Sequence, residues 1–292
     1  MGNALGAAVD VDTIVVGAGV VGVAVARSLA LAGRETWVLE SESRPGEGIS
    51  SRNSGVIHAG FYYPPGSLKA RLCCRGRDLI YAYCAQRGLP HKRTGKLLVA
   101  TDDAQRGALR ELLERGQANG VPDLRWIEAD EARRLEPALQ CVAAVDSPHS
   151  GIVDVPELVM ALIGEMESRG GRFVANTRVA GVRAGEGAHR VELEGGDAVT
   201  CRLLVNAAGL EATELAGRVE GLAATHIPRL RYASGHYYTI RGRAPFQRLI
   251  YPLPETSGLG IHLGLDIAGR ARFGPDLRWI PEPDYRFDDS QR

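Results

Sequence analysis

The N-terminal hydrophobic pattern changes period in short blocks. Asp12-Thr13-Ile14-Val15-Val16 is a β-branched run of the kind buried on both faces of a parallel sheet. Gly17-Ala18-Gly19-Val20-Val21-Gly22 follows directly, and Val23 to Ala32 then reads as a helix of small and aliphatic residues stopped by Gly33. Thr36-Trp37-Val38-Leu39 predicts a second buried strand, with Glu40 at its C-terminal end. Helical spacing returns between Ser67 and Arg87 through Leu68, Leu72, Leu79, Ile80, Tyr83 and Cys84. The pattern then predicts a strand over 93–100, helices over 103–119 and 128–135 with a strand at 124–127 between them, and a helix over 156–169 that opens on Pro156. Strands are expected at 171–175, 178–183, 189–194 and 198–207, the last ending in Asn206-Ala207-Ala208-Gly209. The segments 233–241 and 258–266 alternate like a sheet that faces a cavity.

The first forty residues form a strand–glycine loop–helix–strand unit whose parts have separate physical tasks. Gly17 permits a tight turn out of the strand, Gly19 lets the backbone approach a pyrophosphate, and Gly22 lets the helix pack close to the sheet. The helix N-terminus offers free N–H groups and the positive end of its dipole to that anion. Glu40, eighteen residues after Gly22, stands where a carboxylate accepts hydrogen bonds from ribose hydroxyls, and its charge disfavours a 2′-phosphate. A dinucleotide site follows from this context, since the glycines alone are weak evidence.

Which dinucleotide it is depends on the rest of the chain. Residues 43 to 67 are a long polar, glycine-rich connection where an NAD-binding domain would continue with helices and strands, and loops of this length are usually functional. The small residues closing the 198–207 strand leave room for a cofactor to pass over its end. The block Ser51-Arg52-Asn53-Ser54-Gly55-Val56-Ile57-His58-Ala59-Gly60-Phe61-Tyr62-Tyr63, with Gly66-Ser67-Leu68-Lys69-Ala70 after it, resembles the L-2-hydroxyglutarate dehydrogenase/oxidase branch of the D-amino-acid-oxidase-like FAD superfamily. Gly258-Leu259-Gly260-Ile261-His262-Leu263 and Ala271-Arg272-Phe273-Gly274-Pro275-Asp276 resemble the same branch, and the likeness runs from about residue 10 to the end.

The resemblance implies an α/β chain, α+β overall, in which a glutathione-reductase-like Rossmann FAD-binding domain is interleaved with a mostly antiparallel substrate domain. No internal repeat, low-complexity tract or long linker interrupts the sequence. Residues 1–85 and 151–220 are therefore expected to form the FAD domain, and 86–150 with 221–292 the substrate domain. Members of the family continue with a strand and helix that close over the flavin. This sequence ends in the polar run Pro281 to Arg292, so that closing element is expected to be missing.

Composition removes other function classes. Lys plus Arg equals Asp plus Glu at 35 each, which gives no support for nucleic acid as a partner. Cys73, Cys74, Cys84, Cys141 and Cys201 follow no metal or disulfide spacing, so the sequence predicts no metal site and a reducing compartment. Met1-Gly2 with Gly6 fails the myristoylation pattern, and the uncharged stretch Thr13 to Ala26 is shorter than the roughly 20 residues a membrane span needs. A cytoplasmic location is the simplest expectation, with a peripheral membrane contact as a further possibility for a dehydrogenase that delivers electrons.

The expected cofactor contacts are Gly17, Ala18, Gly19, Val20, Val21, Gly22, Glu40, Ser41, Ser51, Arg52, Asn53, Ser54, Val179, Ala208 and Gly209. The expected chemistry is hydride transfer from C2 of a 2-hydroxy acid to FAD, with His58 as the base and Arg272 as the best candidate to reach the substrate. Tyr62, Tyr63, Lys69, Arg71, His236, Tyr238, Tyr251 and His262 are secondary candidates, each as readily structural. A small dicarboxylate needs cationic or hydroxyl donors at two points, and an electron acceptor of unknown identity must reoxidise the flavin. A relative acting on an amine or amino acid, such as glycine or sarcosine, stays open, as does a non-catalytic chain that binds flavin weakly. An NAD-dependent dehydrogenase is disfavoured by the 43–67 loop.

Overall fold

The computed structural model describes residues 8–253 and 260–287. The features noted at Met1, Gly2 and Gly6, at Gly258 and Leu259, and at Asp288 to Arg292 lie outside the described residues. The chain divides into two compact units, Met1–Asn53 with Val155–Leu230, and Ser54–Asp154 with Arg231–Arg292.

The first unit is built on the strand Val11–Val16, whose β-branched side chains are buried on both faces. It pairs in parallel with Thr36–Leu39 on one side and with Ala198–Asn206 on the other, so that Ile14 stands between Trp37 and Leu204. Arg172–Val174 extends the parallel set beyond Thr36–Leu39. The opposite side continues as an antiparallel meander through His189–Leu193 and Val179–Ala184. The helix Val20–Leu31 lies against the helix Val155–Ser168 and is tied to it by an Arg27–Glu165 ion pair. It stops because Gly33 adopts φ +81, a left-handed conformation that L side chains rarely enter. Val16, Leu39, Val182, Val191 and Cys201 belong to the core beneath this sheet.

The second unit carries a seven-stranded sheet in the order Tyr238–Thr239, Ala271–Gly274, His262–Leu265, Leu249–Pro252, Lys96–Ala100, Ala143–Ser147 and Arg125–Glu128. Its pairings are antiparallel except for Leu249–Pro252 beside Lys96–Ala100, which matches the expected mostly antiparallel domain. The helix Arg106–Ala118 buries Leu109 and Leu112, and Gly116 brings it close to Leu124 and Phe61, where a Cβ would collide with both. Deleting a leucine as enclosed as Leu109 costs about 2–5 kcal/mol in such cores.

Residues 54–85 pack with this second unit, which moves the division earlier than the expected cut at residue 85. Three contacts account for the change. The strand Val56–Ile57 pairs with Gly151–Val153, Tyr81 Oη donates to the His149 carbonyl at 3.2 Å, and Asn119 Nδ2 donates to the carbonyls of Gly60 and Tyr63 at 2.9 and 2.8 Å. The 43–67 connection is also less irregular than expected, with a 3-10 turn at Ile49–Ser51 and the strand Val56–Ile57. The expected 233–241 strand is split: Tyr232–Ser234 pairs with Arg278–Ile280, and Tyr238–Thr239 with Ala271–Gly274. Gly235 lies at the break, where a Cβ would stand 2.7 Å from the Asp276 carbonyl oxygen, so the chain crosses there too closely for a side chain.

Candidate active site

Each unit contains one constellation of the expected residues. In the first, the glycine loop is shaped by backbone proximity. Gly17 adopts φ +97, donates to the Leu39 carbonyl at 2.8 Å, and has no room for a Cβ, which would lie 2.5 Å from the Ala207 carbonyl oxygen. A Cβ on Gly22 would strike the Gly17 carbonyl. Gly19 differs: as the N-cap of the helix it is extended, and its Cβ would meet only Ser50 Oγ at 3.1 Å. The helix has neither a side-chain cap from Gly19 nor an acidic residue in its first turn, so its dipole end is available to an anion. Val20, with its neighbour Val21, forms that first turn, and Val20 N–H donates to Ser50 Oγ at 2.9 Å.

Glu40 leans over this loop. Its carboxylate accepts from Ala18 N–H at 2.7 Å, and also from Ser41 Oγ and Glu42 N–H. Thr177 donates to the Glu40 carbonyl at 2.7 Å, which brings the start of the Val179 strand beside it. The Val179 side chain itself is buried in the core, leaving only its main chain for a ligand. Ala208 accommodates the turn after the Ala198–Asn206 strand, with its N–H on Asn206 Oδ1 at 3.2 Å, and Gly209 follows at φ +58 against Ile49.

Ser51, Arg52 and Asn53 are engaged locally. Ser51 Oγ donates to the carbonyls of Glu47 and Gly48, Arg52 Nη1 donates to Ser51 Oγ at 2.6 Å, and Asn53 Nδ2 donates to the Ser50 carbonyl. These bonds build the turn that presents Ser50 to the helix N-terminus. Ser54 falls in the other unit, where its carbonyl accepts from Arg272 Nη2 and its hydroxyl bonds Tyr237.

The second constellation is made of side chains from separate segments. His58 follows the short Val56–Ile57 strand, with Nδ1 buried and lacking a hydrogen-bond partner among the described residues. Burial, and then the nearby charges of Lys96, His262 and Lys69, push its imidazole down to about 3, so the ring is neutral. Lys96 opens the fully buried strand Lys96–Ala100, has 0% exposure, and has no hydrogen-bond partner for Nζ among the described residues. Its ammonium stands 3.7 Å from the centroid of the Tyr251 ring and within 5.8 Å of those of Phe61 and Tyr62. Burial brings Lys96 down to about 7. Tyr251 stacks in turn on His262, with ring centroids 3.7 Å apart and planes within 7°.

Arg272 comes from the neighbouring Ala271–Gly274 strand, opposite Gly264. The missing side chain at Gly264 leaves the Arg272 stem a flat wall, since a Cβ there would sit 3.6 Å from Arg272 Cγ. Its guanidinium lies 5.4 Å from the Tyr237 ring centroid, and its buried Nε has no acceptor among the described residues. Tyr62 and Tyr251 hydroxyls are pushed up by burial and stay protonated. His236 is held by Asp276 at 3.0 Å, while Tyr238 Oη is buried without a hydrogen-bond partner among the described residues. Lys69 stands over the Tyr63 ring at 4.7 Å.

Two residues of these constellations were not singled out in the sequence. Ser50 lay inside a block whose neighbours attracted attention, and a helix N-terminus thirty positions away leaves no local trace of its partner. Lys96 did leave a trace: a lysine after Gly95 that begins the apolar run Leu97-Leu98-Val99-Ala100 sits where a strand is buried.

No helix among the described residues is long and apolar enough to cross a membrane. The chain is 43% identical over 302 residues to an L-2-hydroxyglutarate dehydrogenase, mitochondrial, of Arabidopsis thaliana, covering 92% of this chain and 62% of that protein. It is 33% identical to the human protein of the same name, covering 91% of this chain and 60% of that one. The chain thus spans about three fifths of the length of these relatives. The L-alpha-glycerophosphate oxidase of Mycoplasma pneumoniae, solved with FAD bound, superposes with a TM-score of 0.85 at 24% identity, covering 92% of this chain and 72% of that one, and shares the fold. The family described as FAD dependent oxidoreductase matches residues 12–292, and this chain belongs to it.

Proposed function

We propose that the chain oxidises L-2-hydroxyglutarate to 2-oxoglutarate with FAD as its cofactor. The observation that carries this reading is the second constellation: a neutral His58 with an unpartnered Nδ1, in one unit with two cations, Lys96 and Arg272, that make no ion pair among the described residues. Cations without acids in poorly screened surroundings favour a nearby anion, and a dicarboxylate brings two negative charges. The names of the relatives support the same substrate.

The first unit suits FAD by its shape. The helix N-terminus at Gly19 and Val20 would hold the pyrophosphate beside Ser50, Gly17 and Gly22 keep the loop low enough for its approach, and Glu40 with Ser41 would hold the adenosine ribose. FAD, when bound, supplies the two-electron acceptor. At the substrate, the C2–H bond breaks with its electron pair leaving as hydride to the acceptor that FAD would supply, the hydroxyl proton goes to the His58 imidazole, and C2–O becomes the carbonyl. Arg272 orients a substrate carboxylate through its fork of N–H donors. A separate electron acceptor would be needed to regenerate the oxidised cofactor. The reading includes a peripheral membrane contact, supported by exposed Leu68, Leu72 and Leu79 beside Lys69, Arg71 and Arg75 on the helix Leu68–Arg87.

An anaerobic absorbance titration of the FAD-loaded chain tests the proposal, with L-2-hydroxyglutarate, its D-enantiomer, glycine and sarcosine run in parallel. Loss of the oxidised-flavin band near ~450 nm with the L-acid alone is expected. Bleaching by glycine or sarcosine instead would transfer the chain to the amine oxidases, and a yellow protein that none of the four bleaches would leave it a flavin binder.

A further inference from the structure

Lys96 has a property that direct substrate binding does not explain. Its Nζ is fully enclosed by the rings of Tyr251, Phe61 and Tyr62, at 0% exposure, so a carboxylate does not reach it. Nor does it hold the protein together by hydrogen bonds, since Nζ has no acceptor among the described residues. A buried, unpaired ammonium is a net cost to folding, and such groups concentrate at functional sites. What remains is action through its charge, which low-dielectric surroundings screen poorly.

We propose that Lys96 is a specificity-determining residue whose buried side-chain amine gains a proton when a dianion enters beside His58 and Arg272, favouring dicarboxylates over monocarboxylates. This rests on the functional reading above and deepens it. The geometry supplies the path: Lys96 lies on the face of Tyr251, Tyr251 is stacked on His262, and the His262 strand pairs with that of Arg272. The titratable groups facing Lys96 are Tyr62, Tyr251, His58 and, from the helix Leu68–Arg87, Cys73. Both tyrosines stay neutral, burial and the neighbouring Cys74 push the Cys73 thiol up, and His58 is held neutral, so Lys96 is the group of this set poised to change charge near neutrality. A dianion nearby favours the charged form of Lys96, and by linkage its affinity falls as pH rises through the titration of the free protein's Lys96.

The test uses the full chain with excess FAD and two inert probes, glutarate and butyrate, titrated calorimetrically at about pH 8 in buffers of different ionisation enthalpy. Glutarate is expected to bind the wild-type chain with uptake of a fraction of a proton and to bind more tightly than butyrate. In Lys96→Met the uptake should vanish and the glutarate-to-butyrate preference fall about tenfold, roughly one unit of linkage, while melting temperature rises. A merely structural lysine would lower the melting temperature and leave the preference intact. Should Lys96→Met not fold, Lys96→Gln and the wild-type pH series read the same linkage. Wild-type binding of glutarate without proton uptake, or an unchanged preference in the variant, overturns this inference and leaves the function standing. A wild-type chain that binds no glutarate and is not reduced by L-2-hydroxyglutarate overturns both.

Discussion

The glycine loop of the first unit and the cationic cluster of the second reach their chemistry by opposite means. The loop is shaped by main chain: Gly17 and Gly22 matter for the side chains they lack, and the N–H groups of Ala18 and Val20 fix it to Glu40 and Ser50. The cluster is made of side chains, with His58, Lys96, Tyr251, His262 and Arg272 brought together by four strands and a strand end. A backbone site tolerates little change of shape and has no titration of its own. A buried side-chain site tolerates isosteric change but is sensitive to charge. The two constellations should therefore fail differently when altered.

The largest effect is expected at the loop. Gly19 is extended and its Cβ would meet only a movable serine hydroxyl, so Gly19→Val should fold while filling the pyrophosphate approach. FAD affinity should fall on the order of 10⁴-fold, about 5 kcal/mol, as read by flavin retention on a desalting column beside an unchanged circular dichroism spectrum. A variant that keeps its flavin would remove the loop from the cofactor site.

His58→Ala should leave FAD bound and reduce the rate of flavin reduction about 10³-fold, within the range for loss of a general base. Stopped-flow reduction by L-2-hydroxyglutarate measures it, and wild-type rates would return His58 to a structural place in its loop. Because the ring is held neutral down to about 3, it stays deprotonated in the free protein through the mildly acidic range, and its own titration should leave kcat/KM there undiminished.

Lys96→Met sharpens the contrast from the side of stability. The folded state lowers Lys96 from an ordinary 10.5 to about 7, so between these values the unfolded chain binds the extra proton and wild-type stability rises with pH. Below that window the wild type bears the full cost of its charge. The variant should then be more stable by about 2–4 kcal/mol near about pH 6, an advantage that shrinks as pH approaches about 10. Urea melts at several pH values would show it, and a constant difference would mean that Lys96 does not titrate there.

The smallest effect tests an element outside both constellations. Glu136 is 2% exposed and accepts the N–H groups of Gln247 and Arg248 at 2.8–3.1 Å, tying that loop to the short helix Ala129–Leu135. Glu136→Gln keeps the shape and weakens charge-assisted bonds, so a loss of about 1 kcal/mol is expected with flavin binding intact. A larger loss of flavin than of stability would tie this loop to the site.

The sequence alone determined the first constellation because its information is contiguous. Strand, glycines, helix and Glu40 fall within thirty residues, although the backbone that Gly17 approaches, at Ala207, lies far along the chain. His58 and Arg272 were legible only through the blocks that carry the family likeness. Tertiary structure alone decided that residues 54–85 join the second unit, because Val56–Ile57 finds its partner at Gly151–Val153, almost a hundred positions away. It also decided what Lys96 is. A lysine ahead of an apolar strand reads as a strand-end cation reaching for water, and only pairing with Leu249–Pro252 and Ala143–Ser147 closes the aromatic walls over its ammonium. Periodicity reports which face of an element is apolar, whereas the partner across that face is chosen by non-local pairing that no stretch of sequence contains.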